Sequence, residues 1–399
     1  MTRASKPVPT MKPSPPDVSL AATLVGLIAF GVVMVYSASA VYANNTFGNG
    51  YHFLLRQTVF AALALVVLFT FSTVNIALLR RSTYPVLLIA VLLMIAVALG
   101  FGRSAGGATR WLVMGPVNVQ PAELAKLAMI MWLAHSLAKK SNRVRTFSIG
   151  FLPHVLVAGL LMLLCLAQPD FGSAVMIALL TFVVLFAAGA KAGYLLGCVL
   201  LAVPVGYATI ASSPYRVRRI KAFLEPFEHR QGAGYQITES LMSFGSGGWT
   251  GVGLGDGRQK LLFLPEAHTD FISAIVGEEL GFIGVALLSM AFAWVTFRGL
   301  RAAWRAQDEY AGYLAAGMTL FIGLQAFTNL AVAMGLLPTK GLALPFVSYG
   351  GSSLLVNAAA AGIILNTSRF GVSRAEEAPE RAKPKRPQPR LRAARGGAR

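Results

Sequence analysis

The chain has 399 residues, of which 55% are hydrophobic and only 13% charged, with a formal net charge of +19. A soluble domain carries about 25% charged residues, so the composition excludes an ordinary soluble protein. Ten Lys and Arg lie from Arg369 onward, in a Pro-rich tail ending APERAKPKRPQPRLRAARGGAR; a basic tail beside a membrane meets anionic lipid, and nucleic acid is rejected as a partner.

The first 19 residues are polar and Pro-rich, without a signal-peptide pattern, and read as a disordered cytoplasmic N-terminus. Ten apolar stretches follow, at 20–39, 53–73, 84–101, 121–137, 151–167, 171–189, 193–210, 271–296, 311–335 and 346–366. Most approach the ~20 residues that carry a helix across ~30 Å of hydrocarbon. Lipid offers backbone groups no partner, and barrel strands would alternate polar with apolar residues, so helix is expected. The fold class is all-α integral membrane: a polytopic bundle of about ten transmembrane helices over 20–368, then a disordered cytoplasmic tail over 369–399.

With the N-terminus inside, the inner segments hold 23 Lys and Arg and the outer ones 10. The positive-inside rule then places both termini in the cytoplasm and the protein in the plasma membrane. No internal repeat is visible, unlike transporters built from inverted halves. Cys165 and Cys198 fall within apolar helices, so no structural disulfide is expected.

One large extramembrane element is predicted, an outer loop over about 211–270. Loops this long are usually functional or disordered. Tyr215, Phe223, Phe227, Tyr235, Phe244, Trp249, Leu261 and Phe263 argue for order on the membrane surface. Its run GSGGWTGVGLGDG looks like a phosphate cradle, but it neither follows a strand nor opens a helix as a dinucleotide site requires.

The most informative stretch is LPEAHTDFISAIVGEELG, residues 264–281, which runs from polar loop into apolar helix while carrying Glu266, Asp270, Glu278 and Glu279. Ionisable groups at membrane depth mark functional sites by default. Others gather near the same face: Arg110 and Trp111 in the second outer loop, Asp170 after Gln168-Pro169, and Lys340 in the last outer loop. Glu123 and Lys126, three apart, share one helix face, and Asn329 interrupts the ninth helix. This pattern fits a cavity open to the outer leaflet. Plainer alternatives are a helix cap for Asp170 or Asp270 and a structural ion pair for Glu123–Lys126.

These stretches resemble the SEDS family (shape, elongation, division and sporulation) of polytopic peptidoglycan polymerases. The resemblance runs through MVYSASAVYA (34–43), GATRWL (107–112), QPAELAKLA (120–128), AQPDFGSA (167–174), PYRVRRIKAFLEPF (214–227), YQITESLMSFGSGGWTGVGLG (235–255), LPEAHTDFISAIVGEELG and LLPTKGLALPFVSYGGSSLL (336–355). YSASA, PAELAKLA and LPEAHTDFI are more similar to the family's division branch than to its elongation branch.

The resemblance implies a peptidoglycan glycosyltransferase that polymerises lipid II into β-1,4 glycan with release of undecaprenyl diphosphate, for septal wall synthesis in cell division. It implies that Asp270, in the family's HTDF motif, is the catalytic base. It also implies substrate-binding roles for Arg110, Trp111, Glu123, Lys126, Asp170, Arg216, Arg218, Arg219, Glu266, His268 and Lys340, with Lys221 as a further cation for diphosphate. A divalent cation, Mg²⁺ or Mn²⁺, is expected on Asp270 with Glu266 or Asp170; no organic cofactor is expected. The expected partners are lipid II, the nascent glycan strand, a class B penicillin-binding protein that cross-links it, and other division proteins. SYGGSS (348–353) is expected to allow close helix approach. The competing readings are a lipid II flippase, an ion-coupled transporter using Glu123, Lys126, Asp170 and Glu278 as a relay, and a scaffold for division partners.

Overall fold

The computed structural model describes residues 15–369, apart from 106, 107, 116, 233 and 262. The first 14 residues, the basic tail from 370, and Gly107 of the GATRWL motif lie outside the described residues. Twelve α-helices are described: α1 Val18–Phe47, α2 His52–Thr73, α3 Ile76–Ala98, α4 Pro121–Lys139, α5 Leu152–Ala167, α6 Phe171–Ala187, α7 Ala192–Ala211, α8 Pro214–Leu224, α9 Tyr235–Gly247, α10 Ile272–Trp304, α11 Glu309–Ala333 and α12 Gly351–Arg369.

Each of the ten apolar stretches overlaps one of these helices, though 346–366 begins five residues before α12. Seven are long and apolar enough to cross a membrane: α1, α2, α3, α5 with the π turn before it, α7, α10 and α11. At 17 residues α6 is a shorter apolar helix. α4 and α12 are not among the seven, yet both are buried along most of their length. Helices surrounded by other helices meet no lipid, so small and polar residues are tolerated there. α7 is the opposite case, with Leu195 its one buried residue.

Two apolar cores result. One joins α1, α2, α10, α11 and α12; the other joins α3 to α7, with α4 contributing to both. Small residues let α2 and α12 approach closely: a Cβ on Gly362 would lie 2.5 Å from the Leu68 carbonyl oxygen, and one on Gly351 2.5 Å from the Phe60 ring. Gly351 belongs to SYGGSS, where close approach was expected.

The Asp17 amide donates to Ser368 Oγ at 3.4 Å, and Arg298 Nε donates to the Asp17 carboxylate at 2.6 Å. The start of α1, the end of α12 and the end of α10 therefore meet at one end of the bundle. The long connections gather at the other, here called the loop end.

Two features there go beyond the sequence reading. Between α3 and α4, three short antiparallel strands form a sheet: β1 Arg103–Ala105, β2 Ala108–Met114 and β3 Val117–Val119, with Arg103 opposite Trp111 and Leu112 opposite Val119. Strands of three to seven residues carry too few side chains for an alternating pattern to stand out. The second is a break in α10 at Gly281, which adopts φ 65°, ψ −163°. The stretch after α9 fills the break: Phe282 and Ile283 amides donate to the Gly248 and Trp249 carbonyls at 2.9 and 3.1 Å. Val252 and Gly253 amides donate to the Glu278 and Glu279 carbonyls at 3.0 and 3.1 Å. Irregular backbone is tolerated in a membrane protein where other protein satisfies it. A Cβ on Gly281 would lie 2.4 Å from the Gly251 nitrogen, so only glycine fits the break.

Candidate active site

Asp270 lies just before α10, in a turn that its own sequence builds. Leu264, Ala267 and Phe271 are buried and anchor the segment. Glu266 turns back with φ 56°, and its carbonyl accepts the amides of Thr269, Asp270 and Phe271 at 3.1, 3.1 and 3.3 Å. Asp270 does not cap α10. The cap position is Phe271, with no side-chain cap bond. The half-buried carboxylate is thus held in place by backbone rather than by a bond of its own to the helix.

Two other segments close around it. Asn329 on α11 donates through Nδ2 to the Asp270 carbonyl at 2.8 Å and to the Leu342 carbonyl at 2.7 Å, and its Oδ1 accepts from Ser273 Oγ at 3.0 Å. One buried amide thereby ties the Asp270 segment to the connection between α11 and α12. In that connection, Gly341 lies against the carboxylate, where any Cβ would come 2.9 Å from Asp270 Oδ2. Ser348 Oγ donates to the Thr269 carbonyl at 2.5 Å, and the Tyr349 amide to the His268 carbonyl at 2.9 Å.

Four cations lie on the neighbouring segments. Arg110 Nη2 donates to the Pro169 carbonyl at 2.5 Å and Arg219 Nη1 to the Thr339 carbonyl at 3.0 Å. Lys340 Nζ lies 5.4 Å and the Arg216 guanidinium 5.8 Å from the centre of the Phe171 ring. Arg110 Nε is buried without a partner. Burial pushes the Asp270 carboxyl up from its ordinary 3.8 to about 7, and the Glu266 and Asp170 carboxylates push the same way; Arg110 and Arg219 pull against them. Burial also lowers Lys340, while the Asp170 carboxylate supports its charge.

The remaining candidates fall into other places. Asp170 is buried and caps α6, accepting from Ser173 N at 3.1 Å and Ser173 Oγ at 2.8 Å, with Gln120 Nε2 at 3.5 Å. Glu123 and Lys126 form a buried ion pair at 2.7 Å, and Lys126 is 0% exposed. That is the structural pair offered as the plainer alternative. His268 lies within an aromatic cluster, its ring centroid 4.7 Å from Phe53, 5.7 Å from Tyr42 and 5.8 Å from Tyr349. Burial lowers its pKa, while the Glu266 carboxylate pushes the other way. Glu266 is exposed and accepts from Thr269 Oγ1 at 2.8 Å. Trp111 is half-buried on β2 next to Arg110. Arg218 is exposed, on a different face of α8 from Arg216 and Arg219.

Among the described residues no group of three or more His, Cys, Asp and Glu side chains could hold a metal ion. No step below is routed through a metal. The sequence reading passed over Gln120, Ser273 and Gly341, and gave Ser348 only a place in a small-residue motif. Each is small or uncharged, and only its position in the fold marks it.

The FtsW, RodA and SpoVE family model, described as cell cycle protein, matches residues 18–372. A probable peptidoglycan glycosyltransferase FtsW of Geobacter metallireducens is 46% identical over 353 residues, 88% of this chain and 94% of that protein. Stage V sporulation protein E of Bacillus subtilis is 38% identical over 362 residues, 90% of this chain and 99% of that one. Among solved structures, one describing structural coordination of polymerization and crosslinking by a peptidoglycan synthase complex superposes with TM-score 0.74 at 29% identity, covering 89% of this chain and 98% of that one. The rod shape determining protein RodA of Thermus thermophilus gives TM-score 0.64 at 27% identity, covering 90% and 98%.

Proposed function

The chain belongs to the FtsW, RodA and SpoVE family of cell cycle proteins, and on that premise we propose that it is a peptidoglycan glycosyltransferase acting on lipid II at Asp270. The observation that carries this reading is the half-buried Asp270 carboxyl, raised to about 7 and felt by Arg110 and Arg219, with Arg216 and Lys340 gathered on the nearby Phe171 ring. A base works best with a pKa near the working pH. A diphosphate leaving group needs fixed positive charge where its own charge develops. The cluster offers both.

The 4-hydroxyl of an incoming GlcNAc attacks C1 of the MurNAc at the lipid-linked end of the growing strand. The new C1–O bond forms as the bond from C1 to the diphosphate oxygen breaks. The hydroxyl proton passes to Asp270, and the departing undecaprenyl diphosphate carries the electron pair, its charge met by the arginines and Lys340. The positive-inside orientation puts this end of the bundle outside the plasma membrane, where lipid II is assembled into wall. The relatives named FtsW support a role at the division septum.

The pH dependence tests the base. Asp270 must be ionised to accept the proton, so kcat/KM is expected to fall about tenfold per pH unit below an acid limb near pH 7. A limb near pH 4, the ordinary carboxylate range, contradicts a desolvated base.

Polymer must also be cross-linked, and the solved synthase complex couples the two steps in a related protein. We propose a single-span class B penicillin-binding protein as this chain's partner, seated on the faces of α10 and α11. On α10, Ile283, Leu287, Met290, Trp294 and Phe297 expose a row of large apolar side chains, while α11 is mostly buried. Ala293→Trp, on the exposed side of α10, is expected to reduce stimulation by the partner and spare basal polymerisation. Equal stimulation across a scan of both helices rules this interface out.

A further inference from the structure

The loop that leads into the base segment is held by charges the proposed reaction does not use. Lys260 Nζ pairs with Glu279 Oε1 at 2.7 Å, and the two side chains are 6% and 0% exposed. Ser37 on α1 joins them, donating to the Glu279 carboxylate at 2.7 Å and accepting from Lys260 Nζ at 3.2 Å. The next carboxylate, Glu278, accepts the backbone amides of Arg258 at 2.7 Å and Gln259 at 3.2 Å. Gly257 makes room for it, since a Cβ there would lie 2.9 Å from Glu278 Oε2. All of this lies against the break in α10 at Gly281.

From Lys260 the chain passes directly into the segment that ends at Asp270. Leu261 and Phe263 on this stretch are exposed. The Leu264 amide donates to the Gln259 carbonyl at 2.9 Å, which passes the restraint onward. A buried ion pair is weak evidence for stability, because apolar replacements of the same shape often fold as well or better. What such a pair supplies better than apolar contact is a fixed register.

We infer that Lys260 and Glu279 are positioning residues: their buried pair, bridged to α1 by Ser37, fixes the segment that presents Asp270 to substrate. The inference rests on Asp270 as the reacting group, and its test separates the two claims. Lys260→Met with Glu279→Gln removes both charges, keeps the volumes, and leaves Ser37 an acceptor. The full-length double variant is expected to melt within a few degrees of the parent. Hydrogen exchange over residues 261–271 is expected to be about tenfold faster, with α4 and α11 unchanged. kcat is expected to fall about tenfold or more while KM stays within about threefold, as for a displaced reacting group.

Unchanged exchange over 261–271 overturns the inference, and so does faster exchange with an unchanged kcat. A purely structural pair predicts activity returning together with stability in the double variant. Asp270→Asn measured in parallel keeps the claims apart: full activity there removes the base assignment, whereas the exchange result stands on its own.

Discussion

Asp270→Asn is expected to abolish glycan polymerisation while leaving the protein folded, inserted and at least as thermostable as the parent. Asn keeps the shape of the side chain but takes no proton. The stability expectation follows from the pKa. A carboxyl raised from 3.8 to about 7 by burial favours the folded state when protonated. That contribution is fully present below about pH 4 and is lost as pH rises through about 7. Above pH 7 the parent therefore folds with a poorly solvated charge that Asn lacks, and the Asn variant melts at the same temperature or higher. A helix-capping role predicts the reverse, active Asn and unstable Ala, but no cap bond is made. Substantial polymerisation by purified Asp270→Asn would sink the base assignment.

The second large effect is on stability. Lys126→Met strands the Glu123 carboxylate, whose Oε1 accepts from Lys126 at 2.7 Å and whose Oε2 is already buried without a partner. Removing one member of a buried pair costs about 3–5 kcal/mol. Adding Glu123→Gln removes the stranded charge and is expected to restore most of the melting temperature. Lys126 is fully buried, paired with Glu123 and 5.2 Å from the Phe321 ring, so polymerisation is expected to return as well. A double-mutant cycle scored on both properties decides the matter. Restored stability without restored activity would mean that Lys126 reaches the diphosphate; additive losses would mean that the two residues do not interact.

Much of this was legible in the sequence because lipid is a severe solvent. It forces helices of about 20 residues, and each apolar stretch read from the sequence overlaps a helix. It also makes every carboxylate near the membrane conspicuous, which is how Asp270, Asp170 and the Glu123–Lys126 spacing stood out. Composition does not reveal which side chains face one another. Arg216, Arg218 and Arg219 looked equivalent, yet α8 turns Arg218 away from its neighbours. Lys260 and Glu279, 19 residues apart, gave no helical spacing to pair them. The break at Gly281 was hidden because a helix repaired by a neighbouring backbone keeps its apolar sequence. The sheet at 103–119 rests on too few residues to compete with the helices on either side.

The central claim is that this chain itself joins lipid II units. The most direct test is the purified full-length protein in liposomes with lipid II, reading glycan length on a gel and following lipid II across the bilayer in the same preparation. A ladder of glycan strands with release of undecaprenyl diphosphate, lost in Asp270→Asn, is the predicted result. Transfer of intact lipid II between leaflets with no polymer, equally rapid in the Asn variant, would contradict it and identify a flippase.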